Sequence, residues 1–490
     1  MLYTTEQANK FIEENQDKMI ETYRPKYHLT PPVGWMNDPN GFVYFKGEYH
    51  LFYQHYPYQS VWGPMHWGHA KSKDLIHWEH LPVALAPEEN YEIDGCFSGS
   101  AIEKDGKLYL MYTGHYERNG ERRETQCLAY SEDGIHFKKY EKNPVIDESH
   151  IEGVADIADF RDPKVFEHDN KYYCVVASKT SDERGRILLF QSSDLINWEY
   201  VSILLEGEEQ EGIMWECPDL FQLDGKDVLI MSPIAMLPEK HAFHNRSSTI
   251  AFIGQVDWQK GEFHVENSHE IDSGLDFYAP QTCEDDKGQR IMVAWMQMWD
   301  RNMPTNDLKH GWVGSMTLPR KLKVSENRLI QTPILSVEES FVSISNFKNI
   351  TLNENSDSFY QILPCASSIK LHVEEFNKAN VTIKIGSEEE YVEIMLNNSD
   401  KLMTIDRSQS GYDIVGAESK PLRSRSYELL KDTYFIEIFV DVSTLEVFLD
   451  DATTFSLNFY QKQPELGLEM ASSSDVMIDC LDIKELDESC

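Results

Sequence analysis

Short runs of apolar residues, many of them alternating with polar ones, follow one another along most of the chain after Pro31. Glycine, asparagine and aspartate separate these runs, as they do between short β-strands. Only residues 4 to 22 show a helical spacing of apolar positions, and Thr4 and Gln7 at their start fit a capping box. The pattern therefore predicts one N-terminal helix, packed on the outside of a protein otherwise built from strands.

Turn residues in front of five apolar runs recur at a regular interval. They are Gly47, Gly106, Asn170, Gly225 and Gly288, separated by 59, 64, 55 and 63 residues. A second signature, Ser-x-Asp-x-Ile, begins at Ser72, Ser131 and Ser192. A repeat of about 60 residues suits a four-stranded propeller blade with long loops, so five copies predict a five-bladed β-propeller. A tandem of small β-domains is the alternative, but each unit is too small to bury its own core.

A second strand-rich region follows the repeat and predicts a β-sandwich. Its strands are expected at 369–373, 381–385, 391–395, 434–440, 445–449 and 466–470. The expected fold class is all-β: a five-bladed β-propeller followed by a C-terminal β-sandwich, with a short N-terminal helix. The expected division is 1–30 for the helix and lead-in, 31–325 for the propeller, 326–337 for a linker and 338–490 for the sandwich.

The charge balance excludes some classes of partner. Lysine and arginine number 45 against 83 aspartates and glutamates, a net charge of −38 at pH 7. The average surface therefore repels nucleic acid and anionic lipid. No apolar run is long enough to span a bilayer, and the N-terminus lacks the pattern of a signal peptide, so a cytoplasmic location is expected.

The eight cysteines are scattered without a C-x-x-C pair or a histidine at metal-binding spacing, and reduced thiols are expected. The sequence contains no phosphate loop or dinucleotide fingerprint. We therefore expect neither a metal nor a cofactor.

Acidic residues occupy nearly equivalent positions in three of the five repeats. Counting back nine residues from each turn gives Asp38, Phe97, Arg161, Glu216 and Ala279, with Asp162 next to Arg161. The first strand of each blade lines the axis of a propeller, so these positions should converge on one funnel. One such acid alone is more often a solvated strand-end carboxylate, whereas three in register indicate a site. A proline closely follows each acid, and we expect an extended backbone immediately before it.

Cleavage of a glycosidic bond uses an ionised carboxylate that attacks the anomeric carbon and a protonated acid that assists the leaving oxygen. Two carboxylates in one pocket do not ionise together easily, so the pKa of the less stabilised one rises. We expect Asn37 and backbone donors to keep Asp38 ionised as the nucleophile. The apolar neighbour Trp215 is expected to keep Glu216 protonated as the acid/base.

Arg161 directly precedes Asp162, and we expect its guanidinium to hold Asp162 in the ionised form. An ionised Asp162 would grip sugar hydroxyls and offset positive charge in an oxocarbenium-like transition state.

Three sequence blocks in this order resemble glycoside hydrolase family 32, the β-fructofuranosidases, over nearly the whole chain. They are Trp35-Met36-Asn37-Asp38-Pro39-Asn40-Gly41, Arg161-Asp162-Pro163 and Glu216-Cys217-Pro218-Asp219. The resemblance implies a five-bladed propeller followed by a β-sandwich, and a retaining mechanism. It implies Asp38 as nucleophile, Asp162 as transition-state stabiliser and Glu216 as acid/base. It also implies a substrate-binding set of Trp35, Met36, Asn37, Gln54, Trp62, Phe97, Ser98, Arg161, Tyr278 and Trp295.

The acids do not identify the fructoside, because members of the family accept sucrose, sucrose 6-phosphate, inulin or levan. The N-terminal helix and the segment 23–32 resemble the intracellular bacterial enzymes that act on sucrose 6-phosphate. A phosphate on the glucose unit would need basic residues at the funnel rim. The candidates are Arg122 and Arg123 in the second repeat and Lys309 and His310 in the fifth, although each is more often a solvated loop residue.

Two departures from the family pattern concern the pocket rim and the sandwich. Tyr56-Pro57 stands where Asn-Pro is common, and Val442 stands where a basic residue is common. Neither position involves the three acids.

Three rival functions stay open: an exo-acting hydrolase of fructans or fructo-oligosaccharides, an inverting five-bladed glycosidase, and a carbohydrate-binding propeller without turnover. Inversion requires carboxyl groups about 6.5–9.5 Å apart instead of about 5 Å. The presence of all three acids disfavours a non-catalytic propeller. The expected partner is a small sugar substrate, with no nucleic acid and no membrane, and the sandwich is the expected surface for any homo-oligomer.

Overall fold

An N-terminal helix and five sheets of β-strands make up most of the first two thirds of the chain in the computed structural model, which describes residues 3–355, 358–374, 379–416, 423–431, 433–449 and 453–487. The helix α1 (Thr5–Asn15) begins with Thr4 as its N-cap, and Thr4 and Gln7 form the expected capping box. It is shorter than expected, because a 3₁₀ turn (Gln16–Lys18) replaces its last turns. The predicted N-terminal helix is otherwise confirmed.

The five sheets are the blades of a propeller. Blades 1 and 2 contain β1 (Gly34–Phe45), β2 (Glu48–Tyr56), β3 (His66–Ser72), β4 (Glu79–Leu85), β5 (Gly95–Lys104), β6 (Lys107–Arg118), β7 (Glu121–Ser131) and β8 (Lys138–Lys139). Blades 3 and 4 contain β9 (Phe160–His168), β10 (Lys171–Lys179), β11 (Gly185–Ser192), β12 (Trp198–Glu206), β13 (Met214–Leu223), β14 (Lys226–Ile234), β15 (Ile250–Asp257) and β16 (Glu262–Glu270). The first strand of each blade is innermost, and strands β1, β5, β9 and β13 contact one another in sequence around the axis.

Blade 5 closes the ring. It consists of β17 (Tyr278–Glu284), β18 (Arg290–Trp295), β21 (Arg320–Ser325) and β22 (Arg328–Pro333). Between β18 and β21 lie β19 (Arg301–Asn302), α2 (Pro304–Asp307) and β20 (Trp312–Val313). The innermost strand β17 contacts both β13 and β1, and β20 pairs in parallel with β1, so the last blade is joined to the first.

The sequence repeat marks the hairpins of the blades. Each of the first four blades turns between its first two strands through two residues with left-handed φ angles of 49° to 90°: Lys46-Gly47, Asp105-Gly106, Asp169-Asn170 and Asp224-Gly225. Two left-handed residues define the turn type that matches the twist of a two-residue hairpin. In the second signature, the aspartates Asp74, Asp133 and Asp194 accept backbone N–H groups two and three residues further on. The repeat therefore predicts the blades through local turn chemistry.

The helix α3 (Leu335–Glu339) leads into two packed six-stranded sheets, which confirm the predicted sandwich. One sheet has the order β23-β35-β25-β31-β32-β33 and the other β24-β34-β26-β27-β28-β30. Their strands, with the two-residue β29 that pairs with β19 of the propeller, are β23 (Phe341–Leu352), β24 (Phe359–Ile362), β25 (Ala366–Glu374), β26 (Asn380–Gly386), β27 (Tyr391–Asn397), β28 (Leu402–Gln409), β29 (Val415–Gly416), β30 (Ser424–Glu428), β31 (Tyr434–Asp441), β32 (Thr444–Leu449), β33 (Thr453–Asn458), β34 (Gly467–Ser472) and β35 (Val476–Leu486). No helix among the described residues is long and apolar enough to cross a membrane.

Buried charges join the propeller to the sandwich. Arg320, the first residue of β21, donates to Asp272 after β16 and to Glu446 on β32. The two ring nitrogens of His28 lie 2.8 Å from Asp441 and 3.0 Å from Glu446. All five side chains are inaccessible to solvent. Since an unpaired buried charge is strongly destabilising, each of these groups depends on its partners.

The His28 contacts predict a pH dependence of stability. Burial alone would lower the pKa of His28, but hydrogen bonds to Asp441 and Glu446 raise it from 6.5 to about 9. The contribution to stability is therefore complete below about pH 6.5 and is lost as the pH rises through about 9, a difference of about 3 kcal/mol. We expect the thermal midpoint of the wild type to fall over this range by more than that of His28→Gln, which cannot carry the proton.

An exposed histidine provides the control for this measurement. His77 pairs with Asp74 at the surface, so His77→Gln should follow the wild-type pH profile. Parallel profiles for the wild type and His28→Gln would contradict the role of the buried imidazolium.

Candidate active site

Asp38 on β1, Asp162 on β9 and Glu216 on β13 meet near the end of the axis at which the innermost strands begin. The thiol of Cys217 lies 3.5 Å from Asp38 Oδ2 and 3.6 Å from Asp162 Oδ2. The backbone N–H of Cys217 also donates to Asp162 Oδ2 at 3.0 Å. Asp38 and Asp162 are each 6% exposed, so both carboxylates are held in a nearly water-free environment.

A β-bulge at the same level of every innermost strand directs these side chains. The pairing of each first strand with its neighbour shifts register at this level. Asp162, Cys217 and Ala279, each directly before a proline, have left-handed φ angles of 64°, 49° and 51°. The expectation of an extended residue before proline is therefore wrong at Asp162 and at Cys217. Such conformations cost on the order of 1–3 kcal/mol each for residues other than glycine, and bulges commonly re-aim side chains at sites.

Arg161 links Glu216 to a further buried acid, Glu124 on β7. Its Nε and Nη2 donate to Glu216 Oε1 at 3.1 and 2.9 Å, and its Nη1 donates to Glu124 Oε2 at 3.0 Å. Although burial opposes ionisation of Glu124, Arg161, His115 and Arg122 hold its pKa at about 2. One guanidinium therefore binds both Glu124 and Glu216.

Tyr278 contacts the second oxygen of Glu216. Its hydroxyl lies 2.6 Å from Glu216 Oε2 and 3.1 Å from the carbonyl oxygen of Ser232. The hydroxyl can donate to an ionised Glu216, or donate to Ser232 and accept from a protonated Glu216. The arrangement is therefore compatible with both protonation states of Glu216.

Asp38 has one bound and one free carboxylate oxygen. The hydroxyl of Ser98 donates to Oδ2 at 2.7 Å, whereas Oδ1 has no hydrogen-bond partner among the described residues. Burial raises the pKa of Asp38 from 3.8 to about 6, and hydrogen bonds from Ser98, Asn37 and Cys217 limit that rise. At neutral pH Asp38 is mainly ionised, with Ser98 as its closest donor in addition to the expected Asn37.

Asp162 differs from the expectation that Arg161 keeps it ionised. Burial raises the pKa of Asp162 from 3.8 to about 8, against the opposing effect of Arg161. The charges of Glu216 and Asp38 raise it further, and the N–H of Cys217 lowers it. Arg161 directs its hydrogen bonds to other acids, so adjacency in sequence was a misleading guide.

Trp215 also differs from its expected role. Its indole packs against the backbone of Gly185 and Gly207, where added Cβ atoms would lie within 2.5 Å of the ring, and donates to the carbonyl of Glu211. Successive side chains of a strand point to opposite faces, so Trp215 faces away from the carboxylate of Glu216. It therefore cannot provide the apolar surroundings expected for that acid.

Aromatic residues form one wall of the site. Trp35 donates from Nε1 to Asn37 Oδ1 at 2.7 Å, and its ring packs against Trp295 and Trp299. Trp295 is fully buried and its Nε1 has no partner among the described residues. Tyr278 packs against Trp295 with ring centres 6.5 Å apart. This wall orients Asn37 next to Asp38.

The other predicted sugar contacts lie in three different places. Phe97 stacks on His115 and packs edge-on to Trp62, which is 47% exposed and reaches the rim. Gln54 is buried and donates to the carbonyl of Cys96 at 3.0 Å. Met36 lies in a different place: it is fully buried in the apolar cluster between the propeller and the sandwich, so its side chain is a core residue.

Comparison with known proteins decides the family. The model of the glycosyl hydrolases family 32 N-terminal domain matches residues 28–333, and that of the family 32 C terminal matches residues 337–485. The chain belongs to glycoside hydrolase family 32. It is a glycoside hydrolase, as the motifs and the three converging acids predicted.

Relatives of known identity cover almost the whole chain. The sucrose-6-phosphate hydrolase of Escherichia coli is 36% identical over 483 residues, 96% of each chain, and that of Zymomonas mobilis is 38% identical over 454 residues, 88% of this chain and 85% of the relative. The family 32 β-fructofuranosidase of Bombyx mori has a TM-score of 0.86 at 34% identity over 98% of each chain, and a variant has been solved with sucrose. Sucrose-6-phosphate hydrolase from Lactobacillus gasseri also gives 0.86, at 26% identity over 99% of this chain and 100% of that one.

The basic residues expected to bind a phosphate have other contacts in this family 32 chain. Arg122 donates to Glu124, and Arg123 pairs with Glu148 at 2.7 Å. Lys309 lines a cavity of about 370 Å³ between α1 and the loops of blades 1 and 5. His310 is buried and stacks on Tyr23.

Sequence reasoning missed Glu124 and Trp299 as parts of the site. Glu124 is a fully buried acid on the third strand of its blade, and no local signal marks it, because its neighbours from Glu121 to Gln126 are all charged or polar. Trp299 follows β18 outside any repeated position and joins the aromatic wall. Neither residue lies in the register that led to the three acids.

Proposed function

We propose that the chain hydrolyses terminal β-D-fructofuranoside bonds, with sucrose 6-phosphate or sucrose as the substrate, by a retaining mechanism. The observation that carries this proposal is the convergence of Asp38, Asp162 and Glu216 at one end of the axis, with unequal hydrogen bonding. A nucleophile and a proton donor in one buried pocket are what glycoside cleavage requires. The names of the family 32 relatives add the fructoside class.

Asp38 is the proposed nucleophile. Ser98 fixes Oδ2, so the unpartnered Oδ1 can attack the anomeric carbon and form a fructosyl ester while the C–O bond to the leaving sugar breaks. Water then attacks the same carbon, breaks the ester and returns Asp38 to its carboxylate form.

Glu216 is the proposed acid/base. In the first step it gives its proton to the leaving oxygen, and in the second it takes a proton from the attacking water. The hydroxyl of Tyr278 can accept a hydrogen bond from Oε2 of protonated Glu216 and donate one to Oε2 of the ionised form. Arg161 donates to Oε1 and holds it in place. The acid/base therefore keeps its position through both steps.

Asp162 is the proposed stabiliser of the transition state. Burial keeps its pKa high in the free protein, and positive charge on the fructosyl ring would favour its ionised form at the moment when that charge develops. The substrate contacts proposed around it are Trp35, Asn37, Gln54, Trp62, Phe97, Ser98, Arg161, Tyr278 and Trp295, without the core residue Met36.

Organisation and location are also proposals. We propose a division into a lead-in, a propeller and a sandwich, with the propeller extended to Pro333, because β22 belongs to blade 5 and the first family match ends there; the linker expected at 326–337 is then confined to the residues between 333 and 337. We propose that the chain acts in the cytoplasm, since a phosphorylated sugar does not cross membranes freely. Self-association through the sandwich stays a prediction.

A panel of sucrose, sucrose 6-phosphate and an inulin-type oligomer would rank the substrates by kcat/KM.

Removal of the proposed proton donor should abolish most of the activity. Glu216→Gln keeps the size of the side chain but cannot transfer the proton, so we expect kcat on sucrose to fall about 10²- to 10⁴-fold. Glu209→Gln, on the exposed turn before β13, is the control and should keep wild-type kcat. A Glu216→Gln protein that binds sucrose and hydrolyses it at the normal rate would exclude the enzymatic role.

The stereochemistry of transfer separates retention from inversion. In buffer with methanol, a retaining enzyme passes the fructosyl group to methanol and yields the methyl β-fructofuranoside. NMR of the early product identifies the anomer, because a methyl fructoside does not mutarotate. The α-anomer would show an inverting enzyme.

The hydroxyl of Ser98 should set the acidic limit of activity. Its hydrogen bond lowers the pKa of Asp38, so in Ser98→Ala this pKa rises above 6. We expect the acidic limb of the pH profile of kcat/KM to move up by about one pH unit. Ser100→Ala is the matched control, because Ser100 is buried on the same strand but donates to the carbonyl of Pro163. If the acidic limb stays at the same pH in Ser98→Ala, it does not reflect the ionisation of Asp38.

A further inference from the structure

The inference below rests on the proposed function, in which Glu216 gives its proton to the leaving oxygen. The position of Glu216 then limits where the leaving sugar lies. A general acid must come within hydrogen-bond distance of the leaving oxygen. Glu216 belongs to the innermost strand of blade 4, so the loops of blades 4 and 5 form one part of the rim beside it. Glu216 stands opposite Ser232 in the β13–β14 pair, and Tyr278 of blade 5 contacts it from the other side.

Arg246 lies on this part of the rim. It belongs to the connection between β14 and β15, and its carbonyl accepts the N–H of Ala235 at 2.7 Å. Ala235 comes three residues after Ser232, which at the rise of a strand is about 10 Å. The backbone of Arg246 thus lies roughly one sugar unit along the blade from Ser232, the residue that pairs with Glu216.

The guanidinium of Arg246 is available for a ligand. It is 53% exposed and lies 2.8 Å from Oδ2 of Asp300, which is itself 43% exposed. An exposed ion pair of this kind is weak, so the guanidinium can exchange the carboxylate for another anion. A phosphate monoester carries nearly two negative charges and accepts two parallel hydrogen bonds from a guanidinium.

Asp300 connects this pair to the aromatic wall of the site. It follows Trp299, whose ring packs against Trp35 and Trp295. The ion pair of Arg246 and Asp300 therefore bridges the loops of blades 4 and 5 beside the proposed leaving-group position.

Other basic residues of the rim fit this role less well. Arg122 is held by the buried Glu124, and Arg123 belongs to blade 2, which is not adjacent to blade 4 or blade 5 in the ring. Lys309 lines the cavity next to α1, which is on the outer side of blade 1. Lys240 shares the β14–β15 connection with Arg246, but three glutamates line its cavity.

We propose that Arg246 recognises the phosphate group of a phosphorylated leaving sugar, and that Asp300 holds the guanidinium when no phosphate is bound. Arg246 is then a determinant of specificity for sucrose 6-phosphate over sucrose. Asp300 has the opposite effect on this preference, because its charge competes with and repels the phosphate.

Two substitutions with opposite expected effects test this proposal. Arg246→Gln should lower the ratio of kcat/KM for sucrose 6-phosphate to that for sucrose by about 10- to 100-fold. Asp300→Asn should raise the same ratio. A purely structural ion pair predicts the same direction for both variants, since either substitution breaks it. A shared direction would therefore overturn the proposal.

Arg123→Gln is the matched control, because it removes an exposed, carboxylate-paired arginine from another blade and should leave the ratio unchanged. Glucose 6-phosphate should compete with substrate in the wild type and less in Arg246→Gln. Equal inhibition by inorganic phosphate at the same concentration would assign Arg246 to free phosphate and overturn its role in substrate choice.

The wild-type substrate panel separates the failure of this proposal from that of the proposed function. Equal kcat/KM for sucrose and its 6-phosphate, or an unchanged ratio in Arg246→Gln, would overturn the role of Arg246 while fructoside hydrolysis stands. A wild-type protein that hydrolyses neither substrate would overturn both.

Discussion

The pairing of buried carboxylates with a small number of buried cations is the constraint on which both the active site and the domain junction depend. The chain carries a net charge of −38, and several of its acids lie in the interior. An ionised carboxylate without a partner is costly in such surroundings. At the junction, Asp276 forms ion pairs with Arg301 and Arg407. Arg320 donates hydrogen bonds to both Asp272 and Glu446. The relative position of the two β-domains is thus fixed by charge complementarity in addition to apolar packing.

At the axis the same constraint gives the three acids different environments. Arg161 donates to Glu216 and Glu124 but directs no hydrogen bond to its sequence neighbour Asp162. Asp162 and Asp38 rely on neutral donors, and burial raises the pKa of both. Carboxylates placed within one pocket in unequal environments acquire different protonation states, which is the condition for acid and base chemistry at one pH.

Local chemistry explains which features the sequence could predict. Gly47 and the Ser72–Asp74 turn act through their own backbone neighbours, so their recurrence revealed the blades and, with them, the convergence of the acids. The contacts of Glu124 and Trp215 depend on which face of a strand each side chain occupies and on strands distant in sequence. The left-handed backbone at Asp162 depends on a bulge, which a proline pattern alone does not specify. Contacts between distant strands therefore could not be predicted from the sequence, whereas features set by neighbouring residues could.

The sandwich takes part in forming the site, which its lack of clustered chemistry did not suggest. Its strand β29 pairs with β19, directly after Trp299 and Asp300. Ile414 and Tyr460 of the sandwich pack in the same apolar cluster as Trp35 and the other rings of the wall. A loop held at both ends by a propeller strand and an outside domain has fewer conformations available than a loop held by one. The sandwich therefore orders the blade 5 loop that carries this wall, so the second domain stabilises the geometry of a site whose acids all belong to the first.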